Sequence, residues 1–332
     1  MIISQRHKWM IIIFLLLLPI AGMVHFMSGH LDISFNDLIN SLFNFDETNT
    51  NHLIAREVRI PRMFTAIIAG AGLSVAGLLM QTLFNNPLAG PYVLGINSGA
   101  SLFVAFSIMT GIPFLSSDLG IITNALIGAM VFGLIISLFS EVVRSQISLL
   151  LIGIMLGSFT GAIVSLLEVS SDASELKVFT LWSLGSLSRI EFSQIPLISL
   201  VFIVGIVGSL FLIKPLNLLI LGQDQARLLG LNYKRTRFVI IAITAILIGL
   251  ITAFCGPIAF VGLAVPNLVR IMLKSQHHGL LIVACAFIGG IFVLLCDALI
   301  QAMENYMLIP INVLTSIIGA PIVVLLILRK LR

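Results

Sequence analysis

The chain has 332 residues, of which 59% are hydrophobic and only 10% are charged, and its formal net charge is +4. Soluble domains carry about 25% charged residues, so this composition excludes an ordinary water-soluble globular fold. Long uncharged runs and a mean hydropathy of +1.15 indicate an all-α polytopic membrane protein.

Runs without charged residues predict the membrane spans, because a helix needs about 20 apolar residues to cross the hydrocarbon core. Arg6 and Lys8 precede the first run, which lacks a typical small-residue cleavage site, so we expect a retained span and not a removed signal peptide. Single spans are predicted between these pairs of charges: Lys8 and Asp32, Asp118 and Glu141, Arg144 and Glu168, Glu191 and Lys214, Lys274 and Asp297, and Glu304 and Arg329.

The uncharged run between Arg62 and Asp118 is long enough for two spans with a turn between them. The turn has the sequence Asn85-Asn86-Pro87-Leu88-Ala89-Gly90-Pro91. Its prolines remove backbone donors, so its polar backbone groups must find partners outside a helical ladder. Such a segment is tolerated at membrane depth only where it is buried in protein or lines a wet cavity.

The run between Arg237 and Arg270 predicts a second pair of spans, one of them short. Breaks are expected at Gly256-Pro257 and at Pro266, and Arg270 is expected to extend outward from its span. Ten spans result in total. Because ten is an even number, both termini are predicted to lie on the same side of the membrane.

The distribution of charge predicts the orientation. Thirteen of the eighteen Lys and Arg residues fall on the side of the termini, and the positive-inside rule makes that side the cytoplasm. Of the fourteen acids, only Glu141 and Asp224 fall on this inner side. No acid is predicted at the centre of a span, where ion-coupled carriers bear a cost of at least ~2.5 kcal/mol for a charge. A stand-alone secondary carrier or channel is therefore disfavoured, and a scaffold protein is the third alternative.

The loops predict short helices. The inner loop 214–237 is expected to hold an amphipathic helix between Gly222 and Gly230, interpreted as a docking element for another protein. In the outer loops, 31–59 and 169–194, helical character is expected over residues 35–43 and a short helix within 181–187. A stripe of small residues, suited to helix packing within the subunit or across a dimer, consists of Gly153, Gly157 and Gly161.

The sequence has neither a GxxxxGK[ST] nor an HExxH motif, so no nucleotide or catalytic zinc site is expected. We predict no cofactor, no catalytic residue and no nucleic-acid partner. The three cysteines, Cys255, Cys285 and Cys296, are interpreted as small buried hydrophobic residues. His277 and His278 are interpreted as solvated loop residues and not as metal ligands, because no further ligands lie nearby in the sequence.

The stretch RIPRMFTAIIAGAGLSVAGLLMQTLFNNPLAGPYVLGINSGAS, residues 59–101, closely resembles the FecCD family, the permeases of ABC importers for iron-siderophores, haem and cobalamin. The resemblance extends from about Trp9 to the C-terminus. It includes GPIAFVGLAVP at 256–266 and PINVLTSIIGAP at 310–321. This sequence departs from the family at Asn267, where histidine is common, and at Gln301, where some members have an arginine.

The resemblance implies a type II ABC importer permease fold, formed by one transmembrane domain over residues 1–332. It further implies a bacterial cytoplasmic membrane protein that pairs with a second permease subunit, identical or not. The implied partners are two cytoplasmic ABC ATPase subunits, an extracellular or periplasmic substrate-binding protein, and membrane lipid. Since ATP would be hydrolysed on a separate subunit, the chain is not expected to be an enzyme. The expected cargo is a ferric siderophore, with haem or cobalamin as alternatives.

The resemblance also implies roles for particular residues. The implied ATPase-coupling residues are Leu221, Gly222, Asp224, Ala226, Arg227 and Gly230. Docking of the binding protein is assigned to Arg59 and Arg62. The implied gate and pathway residues are Asn86, Pro87, Leu88, Gln146 and Ile147.

Overall fold

The structure of the protein is a computed structural model that describes residues 5–29, 33–90, 92, 95–110, 117–143 and 145–331. Within these ranges every regular element is helical. Of the residues named in the sequence analysis, Asp32, Pro91 and Arg144 lie outside the described residues.

The described chain forms fifteen α-helices. They are α1 (Gln5–Met27), α2 (Phe35–Phe43), α3 (Thr50–Ile54), α4 (Ile60–Leu83), α5 (Ile96–Met109), α6 (Asp118–Val142), α7 (Gln146–Ser170), α8 (Ala173–Ser183), α9 (Ile195–Phe211), α10 (Ile213–Leu219), α11 (Gln223–Leu228), α12 (Tyr233–Cys255), α13 (Val261–Leu273), α14 (His278–Met303) and α15 (Ile311–Leu331). A π-helical turn, Ala55–Arg59, joins α3 to α4, and a 3-10 turn, Phe192–Gln194, precedes α9.

Seven of the helical segments are long and apolar enough to cross a membrane, and three shorter apolar helices, α5, α13 and α15, bring the described set to ten. These ten helices confirm the predicted spans. The expected short helices are also present: α2 covers residues 35–43, and α11 lies between Gly222 and Gly230. In the second outer loop the helix is α8, which ends at Ser183, so most of the segment 181–187 is not helical.

The predicted break at Pro266 is wrong, because α13 continues through this proline. The helix tolerates Pro266 because a side chain replaces the missing backbone donor. Pro266 cannot donate to the carbonyl of Gly262 one turn earlier, and the Nε2 of Gln81 in α4 lies 3.5 Å from that carbonyl oxygen. The actual break between α12 and α13 is residues 256–260, where Gly256 and Phe260 have φ angles of +71° and +65°.

Helix α4 is the centre of the bundle, and twenty of its twenty-four residues are buried. It packs against α14, α12 and α13. Small residues allow the close approach: a Cβ atom added at Gly70 would lie 2.0 Å from the carbonyl oxygen of Gly289, and one at Gly77 would lie 1.8 Å from that of Gly262. Lipid tails are as apolar as the helix surfaces, so the hydrophobic effect does not drive helices together in a membrane. Close van der Waals contact of this kind contributes to their association instead.

The bundle has two distinct ends. At one, which we call the α11 end, the Nε2 of His7 lies 3.1 Å from the carbonyl oxygen of Leu273, and Arg237 donates to the carbonyl of Val143. At the opposite end, Asn312 donates its backbone N–H to the carbonyl of Leu184. Each of these contacts joins two segments that the sequence predicts for the same side of the membrane.

Tight contact between α4 and α14 gives a test of this packing. Gly289→Ala would place its Cβ 2.2 Å from the carbonyl oxygen of Gly70, whereas at the neighbouring Gly290 the nearest atom would be 3.4 Å away. We expect Gly289→Ala to destabilise the protein by about 1–3 kcal/mol through overpacking. Gly290→Ala is the matched control and should be neutral, or stabilising by up to about 1 kcal/mol through helix propensity. Thermal unfolding in detergent measures both, and equal unfolding midpoints would contradict this packing.

Candidate functional site

A turn at residues 84–90, which we call the Asn-Pro-Leu turn, follows the end of α4. Asn85 has a φ angle of +46°. The side-chain oxygen of Asn86 accepts a hydrogen bond of 2.9 Å from the N–H of Leu88, and the N–H of Asn86 donates to the carbonyl of Gln81. As predicted, the polar backbone groups of the turn are satisfied outside a regular helical ladder. Leu88 is 43% exposed, while Asn86 and Pro87 are half-buried.

Two side-chain amides tie the turn to neighbouring helices, one at each side of it. The Nδ2 of Asn267 in α13 donates to the carbonyl of Pro87 at 2.8 Å. The Nε2 of Gln146 in α7 donates to the carbonyl of Leu83, also at 2.8 Å. Both acceptors are carbonyls that no helical N–H reaches, so each amide satisfies an otherwise orphaned group.

Arg270 lies next to this turn and does not extend outward as predicted. Its Nη1 donates to the side-chain oxygen of Gln81 in α4 and lies 3.5 Å from that of Asn267. The prediction was wrong because these amide oxygens, which cannot be read from spacing, offer the guanidinium partners inside the protein.

The two breaks in the helical bundle meet at Tyr92. The hydroxyl of Tyr92 donates to the carbonyl of Ile258 and accepts from the N–H of the same residue at 3.1 Å. The N–H of Ala259 donates to the side-chain oxygen of Asn312 at 3.0 Å. Side chains thus satisfy the non-helical backbone that leads into α13, as membrane depth requires.

Helix α11 presents a mixed apolar and charged surface at its end of the bundle. Gly222 and Gly230, with φ angles of +96° and +87°, form its boundaries, and both conformations favour glycine. Ala226 is fully buried beneath the helix. The side chains on the other faces are exposed, and they are Leu221, Asp224, Arg227, Leu228 and Leu229. Leu228 is 88% exposed, so an apolar group is available for contact with another protein.

Two of the three glycines in the predicted small-residue stripe of α7 lie against another helix of the same chain. The carbonyl of Gly153 and the N–H of Gly157 lie close to Gly95, at the start of α5. No described atom lies within 4 Å of a Cβ added at Gly161. Ile147, in the first turn of the same helix, is 73% exposed.

Arg62 belongs to a buried ionic cluster at the opposite end of the bundle. Its Nε and Nη2 donate to the two carboxylate oxygens of Asp297 at 2.7 and 3.0 Å. The Nε2 of His25 lies 2.6 Å from the same carboxylate, and Gln301 donates to it at 3.1 Å. Asp297 is only 2% exposed. The cluster joins α1, α4 and α14.

The expectation that Asp297 ends a span was wrong. Helix α14 continues for six residues to Met303, about 9 Å at 1.5 Å per residue. The carboxylate remains inside the helix bundle because Arg62 and His25 satisfy it. Sequence reasoning missed this cluster, although a charge or histidine near the end of a span is itself a signal that a partner must exist.

The other two arginines before α4 differ in exposure. Arg59 is 5% exposed, and its Nη1 donates to the carbonyl of Phe26 at 2.5 Å. The guanidinium of Arg56 lies 4.3 Å from the ring centre of Phe45 and 5.0 Å from that of Phe192, and its side chain is one-third exposed. Arg59 and Arg62, the residues assigned to docking from the sequence, are therefore turned inward here, and that role stays a prediction.

His278 was interpreted as a solvated loop residue, and this interpretation was wrong. It is 2% exposed and begins α14. Its Nε2 lies 2.7 Å from the hydroxyl of Thr82, and its backbone N–H donates to the side chain of Asn217 at 2.9 Å. Because Thr82 lies in α4 and Asn217 in α10, the histidine ties three helices together. Spacing alone gives no signal for this contact.

Comparison with known proteins identifies the chain at this point. The model of the FecCD transport family matches residues 14–329. The chain belongs to this family. The FecCD-family chain is thus the permease subunit of an ABC importer, a multi-pass membrane protein of a family whose ATPase is a separate subunit.

Individual relatives agree with the family assignment. The chain is 35% identical over 322 residues to the hemin transport system permease protein HmuU of Yersinia pestis, covering 95% of this chain and 94% of that protein. It is 34% identical over 293 residues to the vitamin B12 import system permease protein BtuC of Photorhabdus laumondii, covering 85% and 84%. A solved ABC transporter structure in an inward-facing conformation, assigned to the metal-chelate type, matches with a TM-score of 0.86 at 28% identity, over 97% of this chain and 99% of that one.

The buried ionic cluster gives a prediction for stability. Asp297→Asn removes the carboxylate and leaves Arg62, whose side chain is only 13% exposed, without its counter-ion. We expect a loss of roughly 3–5 kcal/mol of stability, seen as a lower unfolding midpoint in detergent. Adding Arg62→Gln to Asp297→Asn should recover part of the loss, because the uncompensated charge is then gone. The exposed Asp172→Asn serves as control and should leave the midpoint unchanged. An unchanged midpoint for Asp297→Asn itself would show that the cluster contributes little.

Proposed function

We propose that this permease moves a bulky metal chelate across the cytoplasmic membrane, in the first place a ferric siderophore. The observation that carries the proposal is the family match over nearly the whole chain. Two similar proteins are named for hemin and vitamin B12, which are both large metal chelates. Haem is the second candidate cargo, because the hemin permease of Y. pestis is 35% identical to this chain.

The α11 end is the cytoplasmic side in this proposal, and both termini lie there. The positive-inside rule supports this orientation, since thirteen of the eighteen basic residues fall on that side of the sequence-derived topology. The whole chain, residues 1–332, then forms one transmembrane domain surrounded by lipid and by a second permease subunit. A Cβ added at Gly161 would have no described atom of another element within 4 Å, which suits a contact with that second subunit.

The surface of α11 is the proposed contact with the ATPase subunits. Its six assigned residues are Leu221, Gly222, Asp224, Ala226, Arg227 and Gly230. Asp224 and Arg227 offer exposed charges of both signs, and leucines beside them offer apolar area, the mixture typical of a protein interface. The buried Ala226 holds the helix against the bundle.

The gate is proposed to comprise the Asn-Pro-Leu turn, with Asn86, Pro87 and Leu88, and the start of α7, with Gln146 and Ile147. The hydrogen bond from Gln146 to Leu83 supports treating them as one unit. ATP binding would close the ATPase dimer and displace α11. This displacement would shift the equilibrium between two packed conformations of the pore.

Uptake measurements test the proposed function. In an iron-limited deletion strain we offer radiolabelled iron on one ferric siderophore at a time, with haem and labelled cobalamin in parallel. We expect uptake of one cargo to be lost and to return with the wild-type gene. Asp224→Arg and Arg227→Glu should fail to restore it, because reversed charges would repel the ATPase surface, while the variants insert normally.

Two charge reversals at the opposite end are the matched controls for this experiment. Asp172→Arg and Lys177→Glu change exposed residues in the same way and should restore uptake. Full uptake with Asp224→Arg and Arg227→Glu, at matched protein levels, would remove α11 from the coupling path. Uptake of all cargoes by the deletion strain would count against the cargo class, and the family assignment would stand.

Docking of a binding protein is proposed at the opposite end, through Arg59 and Arg62. Arg59 is buried and Arg62 is mostly enclosed, and each would have to exchange its present partner for an acidic group of the binding protein. Arg59→Gln and Arg62→Gln should weaken capture of the purified binding protein by permease in nanodiscs, most strongly at low salt, where charges are least screened. Each variant is compared with wild type only if its unfolding midpoint shows that it is folded. Capture equal to wild type at low salt would end this assignment.

A further inference from the structure

Tyr233 lies between α11, the proposed docking helix, and the rest of the bundle. It is the first residue of α12 and is only 3% exposed. The guanidinium of Arg227 in α11 lies 5.1 Å from the centre of its ring, and that of Arg237 lies 5.4 Å from it. Cations attract an aromatic face over such distances. The ring of Tyr233 is therefore in attractive contact with a side chain of the docking helix.

The hydroxyl of Tyr233 contacts the other half of the proposed mechanism. The Nε2 of Gln146 donates to this hydroxyl at 3.2 Å and to the carbonyl of Leu83 at 2.8 Å. Leu83 is the last residue of α4 and directly precedes the Asn-Pro-Leu turn. Three side chains, Arg227, Tyr233 and Gln146, thus form a continuous path from the docking helix to the turn.

Different parts of this path differ in how firmly they are held. Arg237 donates to the carbonyl of Val143 through both terminal nitrogens at 3.1 Å, so α12 is fixed to the segment before α7. Helix α11 is only six residues long and has a glycine with positive φ at each boundary, so it is joined to the bundle by two permissive backbone positions. A displacement at this end is therefore expected to move α11 and the Arg227 side chain before it moves α12.

We propose that Tyr233 is a positioning residue that transmits a displacement of α11 to the Asn-Pro-Leu turn through Gln146. The inference rests on the proposed function, because it takes α11 as the surface on which the ATPase acts. When Arg227 moves, the ring of Tyr233 follows its cation, and the hydroxyl changes its distance to Gln146. Gln146 then loses or strengthens its hold on the Leu83 carbonyl, which is the boundary of the turn.

The test uses a reporter on the turn that needs no cargo. Leu88→Cys is introduced into the permease, and the complete transporter is purified with its own ATPase subunit through a tag on the permease and placed in nanodiscs. The three native cysteines are buried and give a low background. The rate of maleimide labelling at position 88 is measured without nucleotide and with ATP and vanadate. Tyr233→Phe keeps the ring and removes the hydroxyl, and we expect it to reduce the nucleotide-dependent change in rate about two- to tenfold.

Two further variants show whether the path is the one described. Gln146→Met should reduce the response as Tyr233→Phe does, and the double variant should be no worse than either single one, because both interrupt the same contact. Tyr306→Phe makes the same chemical change at an 87% exposed residue of the opposite end and should leave the response intact.

The outcomes separate this inference from the function it rests on. If no ATPase subunit co-purifies with the parent protein, the proposed function fails and the inference fails with it. A bound ATPase together with an unchanged response in Tyr233→Phe, or with no nucleotide response at position 88 in the parent, overturns the inference alone. Loss of the bound ATPase in Tyr233→Phe also overturns it, since Tyr233 would then only support the docking surface.

Discussion

The constraint on which this structure depends is that backbone polar groups at membrane depth have no water to bind. In eight of the ten spans, regular helical hydrogen bonds satisfy most of the backbone polar groups. Two of the spans, α5 and α13, begin from non-helical segments, and side chains satisfy the backbone of the segment before α13. The hydroxyl of Tyr92 forms hydrogen bonds with both the carbonyl and the N–H of Ile258, and the side-chain oxygen of Asn312 accepts from the N–H of Ala259. The breaks are therefore stable features of the fold, and they place irregular backbone deep inside a lipid-embedded protein.

The same principle explains why amides are concentrated around the Asn-Pro-Leu turn. Gln146 and Asn267 donate to the carbonyls of Leu83 and Pro87, which no helical N–H reaches. The Nε2 of Gln81 lies 3.5 Å from the carbonyl oxygen of Gly262, which loses its helical donor at Pro266. A net hydrogen bond of this type contributes only about 0.5–1.5 kcal/mol. Several together hold one arrangement, yet each is weak enough to be exchanged for another partner. That combination suits the proposed role of the turn as a gate, which requires two ordered states.

Much of the fold could be predicted from the sequence, because span length and charge asymmetry are set by the bilayer itself. The uncharged runs predicted all ten spans, and the glycines at 222 and 230 predicted the short helix α11. Three of the errors share one cause. The predictions placed three polar side chains in water, whereas each has a hydrogen-bond partner on another helix; they are Asp297, His278 and Arg270. Periodicity and spacing say which residues are on a helix, but they do not say which distant side chain stands opposite.

The residues of the candidate site could be predicted from the sequence to a different extent at the two ends of the bundle. At the α11 end, Tyr233 contacts both Arg227 and Gln146, two residues that the resemblance assigns to coupling and gating. Nothing in the sequence pattern singles out Tyr233. At the opposite end, the two arginines implied for docking are occupied inside the protein, Arg62 by Asp297 and Arg59 by a backbone carbonyl of α1. An arginine that already has a buried carboxylate gains less from an incoming one, because it must first give up that partner. An acidic partner that binds Arg62 would therefore compete with Asp297, and the free energy of that contact would be the difference between two ion pairs and not the strength of one.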